Sequence, residues 1–134
     1  VRQGSRILIV EDDLAFAEIL RHSLSNRGFE CDVAATVREV WSRLQQADGP
    51  LFELVIADVR LPQQSGVELL FPGEQVKHRP GLLMITAFAS PELKDFLAGL
   101  GITLLEKPFS LDQLHTRVVD LLIRRQGHWV LGHL

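Results

Sequence analysis

Short apolar runs alternate with amphipathic stretches along nearly the whole chain. Arg6 to Val10 (RILIV) is β-branched and apolar, the pattern of a buried parallel strand. Leu14, Ala17, Leu20 and Leu24 then recur at helical spacing, up to a stop at Gly28. Phe29 to Ala35 reads as a second strand. Thr36 follows as an N-cap, and Val37, Val40, Trp41 and Leu44 mark one helical face. After an Asp48-Gly49-Pro50 loop, Phe52 to Ala57 forms a third strand closing on Asp58. Leu61-Pro62 and Ser65-Gly66 punctuate the next loop. A helix is expected to start near Gly66, with Phe71-Pro72-Gly73 falling where its middle would be. Leu82 to Thr86 is the fourth strand. Ser90-Pro91-Glu92 reads as an N-cap with proline at the first helical position, leading into Leu93, Phe96, Leu97 and Leu100. Ile102 to Leu105 is a fifth strand, closed by Lys107-Pro108. Ser110 caps the last helix, whose apolar face is Leu111, Leu114, Val118, Leu121 and Leu122.

Five apolar strands alternating with five helical segments predict a doubly wound α/β domain. Right-handed crossovers put helices on both faces of a parallel sheet, a three-layer sandwich. The 134 residues make one domain, read as 1–125, with 126–134 as a tail or the start of a linker. Trp129 falls in that tail and reads as part of a loosely held end. Net charge is −3, so no basic field points to direct nucleic-acid binding. The lone cysteine, Cys31, excludes an intrachain disulfide framework and a cysteine-based zinc site, and fits a reducing, cytoplasmic setting. Apolar runs such as Gly81 to Ala89 fall short of the ~20 residues that span a bilayer. Acids and arginines break up the N-terminus, which carries no signal-peptide pattern.

In a sheet of this kind, ligands bind outside the carboxyl ends of the strands. Those ends carry Glu11 and Asp12, Asp58, Thr86 and Lys107, which would share one rim. Two carboxylates ~5 Å apart repel by about 3 kcal/mol at an effective dielectric of 20, so three acids need neutralising. Lys107 supplies one positive charge, and a divalent cation would supply the rest. Oxygen-only ligands favour Mg²⁺, which keeps several waters and bridges to phosphate. The rim therefore reads as a Mg²⁺-assisted phosphoryl site. A carboxylate there can be the nucleophile, Lys107 can neutralise developing charge, and Thr86 can donate a hydroxyl hydrogen bond.

The segments ILIVEDD (Ile7 to Asp13), VIADVRLPQQSGVELL (Val55 to Leu70), LLMITA (Leu82 to Ala87) and EKPFS (Glu106 to Ser110) resemble the receiver domain of two-component response regulators. The resemblance covers about residues 6 to 125. It implies a flavodoxin-like (βα)5 fold with strand order 2-1-3-4-5. It also implies that Asp58 accepts a phosphoryl group from the phosphohistidine of a histidine kinase or phosphotransfer protein. Asp12 and Glu11 would then hold Mg²⁺ together with Asp58, Glu11 largely through water, and Arg60 would offer its backbone carbonyl. Thr86 and the Ala87 amide would hold the phosphoryl group, Lys107 would pair with it, and the Lys107–Pro108 bond would be cis. Such a domain controls an output domain or partner, here with a lean toward transcription regulators, and can homodimerise. It is not an enzyme in the turnover sense, having only intrinsic phosphotransfer and autodephosphorylation.

Plainer readings stand beside these. Asp13 reads as a solvated loop acid or helix N-cap, suited to the start of a helix where it faces the dipole. The five histidines are scattered without metal spacing and read as solvated or structural. Arg60 and Phe88, each two places after a site residue, could equally be packing residues or modulators of acyl-phosphate hydrolysis. The chain also departs from the family. Leu104 stands where receivers usually carry an aromatic, no tyrosine is present, and the segment from Thr86 to Lys107 is about one residue short. These departures keep open a degenerate receiver acting as a constitutive protein-interaction module. A small doubly wound hydrolase or nucleotide-binding enzyme would need a glycine-rich loop after strand one, where the chain has EDDLAF.

Overall fold

The computed structural model describes residues 4–46, 48–49, 51–61, 64–71, 76 and 78–125. Five strands form one parallel sheet: β1 (Arg6–Val10), β2 (Glu30–Ala34), β3 (Leu54–Asp58), β4 (Gly81–Thr86) and β5 (Thr103–Glu106). Their order across the sheet is β2-β1-β3-β4-β5. Among the described residues four α-helices connect or follow them: α1 (Leu14–Ser25), α2 (Val37–Leu44), α3 (Pro91–Gly99) and α4 (Leu111–Arg125).

The strands alternate between two apolar layers. Ile7, Ile9, Leu54, Ile56, Leu83 and Ile85 pack with Ala17, Leu20 and Leu24 of α1 and Leu114, Val118 and Leu122 of α4. Leu8, Val10, Val55, Ala57, Leu82 and Met84 pack on the other face with Val37 and Val40 of α2 and Leu97 of α3. This period of two explains why the central strands are apolar throughout: each residue faces one helical layer or the other. Ile7 to Val10 are wholly buried, and each such side chain contributes about 1.5–3 kcal/mol.

Local signals set the helix ends. Thr36 accepts from the Glu39 amide at 3.1 Å, and Ser90 from the Leu93 amide at 3.1 Å with Pro91 behind it. Ser110 and Gln113 cap α4 reciprocally: Ser110 Oγ accepts from the Gln113 amide at 3.0 Å, and Gln113 Oε1 from the Ser110 amide at 2.8 Å. Gly28, at φ +96°, takes the left-handed backbone that turns the chain from α1 toward β2. Asp13 is the N-cap of α1, accepting from the Phe16 amide at 3.1 Å.

The stretch expected to become a helix near Gly66 is a five-residue 3₁₀ helix, Gly66–Leu70. Phe71 leaves helical geometry at φ −124°, ψ 67°, because the ring of Pro72 disfavours a helical residue before it. Pro72-Gly73 themselves, Pro50, Pro62 and the 126–134 tail with Trp129 lie outside the described residues. Ahead of the 3₁₀ helix, Arg60–Leu61 pairs antiparallel with Gln64–Ser65. This small ribbon brings Gly66 back against the end of β3.

Candidate functional site

The sheet's own hydrogen bonds place the rim. The Glu11 amide donates to the Ala34 carbonyl at 3.0 Å, Val59 to Ile85 at 2.8 Å and Lys107 to Thr86 at 2.8 Å. The first residues beyond β1, β3 and β5 are thereby tied to neighbouring strands, and the side chains of Glu11, Asp58, Thr86 and Lys107 gather at one edge. Glu11, Asp58 and Thr86 are 1%, 6% and 0% exposed.

Lys107 joins the acids. Its Nζ donates to Asp58 Oδ2 at 2.6 Å and to Glu11 Oε1 at 3.2 Å. The other Asp58 oxygen, Oδ1, accepts from the Arg60 amide at 2.8 Å. Glu11 Oε2 accepts from the Asp13 amide at 3.3 Å. Burial pushes the Glu11 carboxyl up to about 7, and the Asp58 charge adds to this. The Asp13 amide and Lys107 pull it the other way. Burial works to lower the Lys107 pKa, but its bonds to Asp58 and Glu11 outweigh that and raise it. Asp58 is thus a buried carboxylate with one oxygen on an ammonium and the other on a backbone amide.

Not every residue expected at the rim meets Asp58 directly. Asp12 is exposed beside Glu11. Among the described residues no three His, Cys, Asp or Glu side chains gather closely enough to form a metal cluster. The Lys107 ammonium bridges Glu11 and Asp58. Arg60 contributes its amide to Asp58, while its guanidinium lies 4.9 Å from the centroid of the Phe88 ring. The Thr86 hydroxyl engages its own loop, accepting from the Phe88 amide at 3.2 Å and donating to the Phe88 carbonyl at 3.3 Å. Ala87 is exposed beside it. Leu104 is half-buried against the α3 side of the core. The Lys107–Pro108 peptide is cis, as expected.

Two features escaped the sequence reading. A Cβ on Gly66 would sit 2.2 Å from the Asp58 carbonyl oxygen, so only glycine lets the loop pass beneath the aspartate. Gly66 also donates its amide to the Val59 carbonyl at 2.8 Å. The only local hint was the Ser65-Gly66 punctuation. The second feature is an aromatic pair beside Lys107: the Phe16 ring, 4.5 Å from Nζ, and Phe109 against Phe16. Phe16 stands four residues before Leu20 and packs on the α1 side of the core, but helical spacing marks a ring for packing and says nothing of a lysine in a distant segment.

Comparison with known proteins agrees with this arrangement. Residues 7–119 match the family described as the response regulator receiver domain. The chain is 35% identical to the transcriptional regulatory protein PmrA of Pectobacterium parmentieri, over 91% of this chain and 54% of that protein. It is 34% identical to BasR of Escherichia coli K12, over 96% of this chain and 59% of that protein. The chain therefore spans somewhat over half the length of these curated relatives. Among solved structures, a CheY-like response regulator receiver domain protein from Methanospirillum hungatei JF-1 superposes with a TM-score of 0.80 at 28% identity, covering 92% of this chain and 98% of that one. Chemotaxis protein CheY4 of Vibrio cholerae gives 0.74 at 30% identity, covering 88% and 98%.

Proposed function

Because this chain belongs to the response regulator receiver family, we propose that Asp58 is its phosphoacceptor and that phosphorylation switches the domain between two states. The observation that carries this reading is the buried Asp58 carboxylate held at the strand-end rim by Lys107 Nζ at 2.6 Å. In the transfer, a carboxylate oxygen of Asp58 attacks phosphorus of a histidine kinase or phosphotransfer-protein phosphohistidine. The P–N bond breaks, and the histidine leaves with the electron pair and takes up a proton. Lys107 moves its hydrogen bond from the carboxylate to a phosphoryl oxygen. Water later attacks the acyl phosphate, so the domain resets itself without being an enzyme of a separate substrate.

The donor chemistry fits Mg²⁺. Glu11, Asp12 and Asp58 offer only oxygen, and Lys107 balances one of their three charges. These residues, with the Arg60 carbonyl, would hold the ion, and the bound ion supplies neutralisation of the transferring phosphoryl oxygens.

The switch follows from Thr86. Its hydroxyl now serves Phe88, and a phosphoryl group on Asp58 offers a stronger, charged acceptor. Trading partners pulls the 86–88 loop toward the rim and shifts the population of the face beyond it. The relatives are transcriptional regulators, which supports a cytoplasmic role for this domain in controlling a DNA-binding output. Among the described residues no helix is long and apolar enough to cross a membrane.

Incubation with MgCl₂ and acetyl phosphate should add about 80 Da to the intact protein. The adduct should vanish in Asp58→Ala and on chelation with EDTA. A wild-type protein without the adduct, or an adduct that survives Asp58→Ala, refutes the assignment. Leu104 in place of the usual aromatic favours one rival, a receiver that acts as a constitutive interaction module. An adduct that leaves oligomeric state and partner binding unchanged would support that rival.

A further inference from the structure

The ammonium of Lys107 is held on more than its carboxylate side. Two of its three donors face Asp58 Oδ2 and Glu11 Oε1, at 2.6 and 3.2 Å. Nζ also lies over the Phe16 ring, 4.5 Å from its centroid, within the range at which a ring face attracts a cation. Phe16 is braced in turn by Phe109, whose ring meets it edge-on at 6.1 Å and 63°. Four segments therefore converge on one ammonium: the ends of β1 and β3, helix α1, and the residues just beyond Lys107. Both rings are half-buried, and the Lys107 side chain is only 25% exposed. A lysine on a flexible four-carbon stem is otherwise free to swing into water.

We infer that Phe16 is a positioning residue: its ring, braced by Phe109, holds the Lys107 ammonium over the Asp58 carboxylate. The consequence for phosphorylation rests on the acceptor reading above. When an Asp58 oxygen becomes bonded to phosphorus, Lys107 must pass a hydrogen bond from the carboxylate to a phosphoryl oxygen. A ring face attracts a cation without a fixed hydrogen-bond direction. It keeps the ammonium in the site while its hydrogen-bond partner changes. A carboxylate in the same place would compete with the phosphoryl group, and an aliphatic side chain would fill the space without attracting the charge.

Phe16→Leu and Phe16→Trp separate charge attraction from space filling. In the NMR spectrum of the intact chain, the Lys107 Cε protons should be shifted upfield by the ring current. That shift should be lost in Phe16→Leu and kept in Phe16→Trp. With MgCl₂ and acetyl phosphate, Phe16→Leu should acquire the adduct about three- to tenfold more slowly. Phe16→Trp should stay within about twofold of wild type, since its ring also attracts the cation. Unshifted Lys107 protons in the wild type overturn the inference. So does a Phe16→Leu protein that is phosphorylated at the wild-type rate, or equal rate loss in both variants at matched urea midpoints. If the wild type takes no adduct at all, the acceptor reading fails, and the NMR measurement still decides whether the ring holds the lysine.

Discussion

Replacing Gly66 with alanine places a methyl carbon 2.2 Å from the Asp58 carbonyl oxygen, 3.1 Å from its carbonyl carbon and 3.2 Å from Met84 Cε. The nearest atoms are backbone at the end of β3, where Val59 is hydrogen-bonded to Ile85 of β4. They cannot rotate away as a flexible side chain would, so the 59–66 ribbon must lift. Lifting strains or breaks the 2.8 Å bond from the Gly66 amide to the Val59 carbonyl. Gly66 is buried, so losing that bond costs about 1 kcal/mol or more. Overpacking of this kind adds about 1–3 kcal/mol. The sum is roughly 2–4 kcal/mol, which at a urea slope of about 1.5 kcal/mol/M lowers the midpoint by roughly 1.3–2.7 M. The same movement displaces the Arg60 amide from Asp58 Oδ1, so the rate of adduct formation with acetyl phosphate should fall as well. Gly99→Ala is the control: it lies in α3, its Cβ would meet nothing within 4 Å, and it should gain up to about 1 kcal/mol. A Gly66→Ala protein with an unchanged midpoint and unchanged Asp58 and Val59 amide shifts would refute the close approach.

Two further outcomes follow from the charged and buried groups. Lys107→Met leaves Glu11 and Asp58 buried without their shared cation, which should cost about 2–4 kcal/mol in urea denaturation. Adding Asp58→Asn should recover part of that loss; if the double variant is no more stable, the carboxylates are not coupled through the lysine. Burial pushes the Cys31 thiol from its ordinary 9.0 up to about 11, softened by a bond with Ser25. Because the folded value lies above the unfolded one, this contribution to stability is full below about pH 9 and is lost as pH rises through 11. Alkylation of Cys31 at pH 8.5 should be slower by up to about a hundredfold in the native protein than in urea; equal rates would contradict the burial.

The strands and most helix ends were legible because their causes are local. RILIV, LVIAD and GLLMIT are apolar at every position or nearly so, since a central parallel strand has a helical layer on each face. Thr36, Ser90 and Ser110 cap helices through hydroxyls that reach amides three residues on, so spacing alone identifies them. The rim was legible for a related reason: strand ends in this topology share an edge, and acids, a threonine and a lysine at apolar strand ends stand out.

Long-range geometry was not written in any such period. Lys107 meets partners 96 and 49 residues away, and it bridges two of the acids that share the rim. The Thr86 hydroxyl turned to its own loop, and the Phe16 ring came over a lysine at the far end of the chain. The helix expected at Gly66 became a 3₁₀ turn, because the chain there must pass beneath Asp58 and then accommodate Pro72. Hydrophobic period and capping specify which face of an element is buried and where it stops. Which side chains then compete for one ammonium depends on how separate elements are stacked, to within an ångström, and the chain pattern carries no record of that.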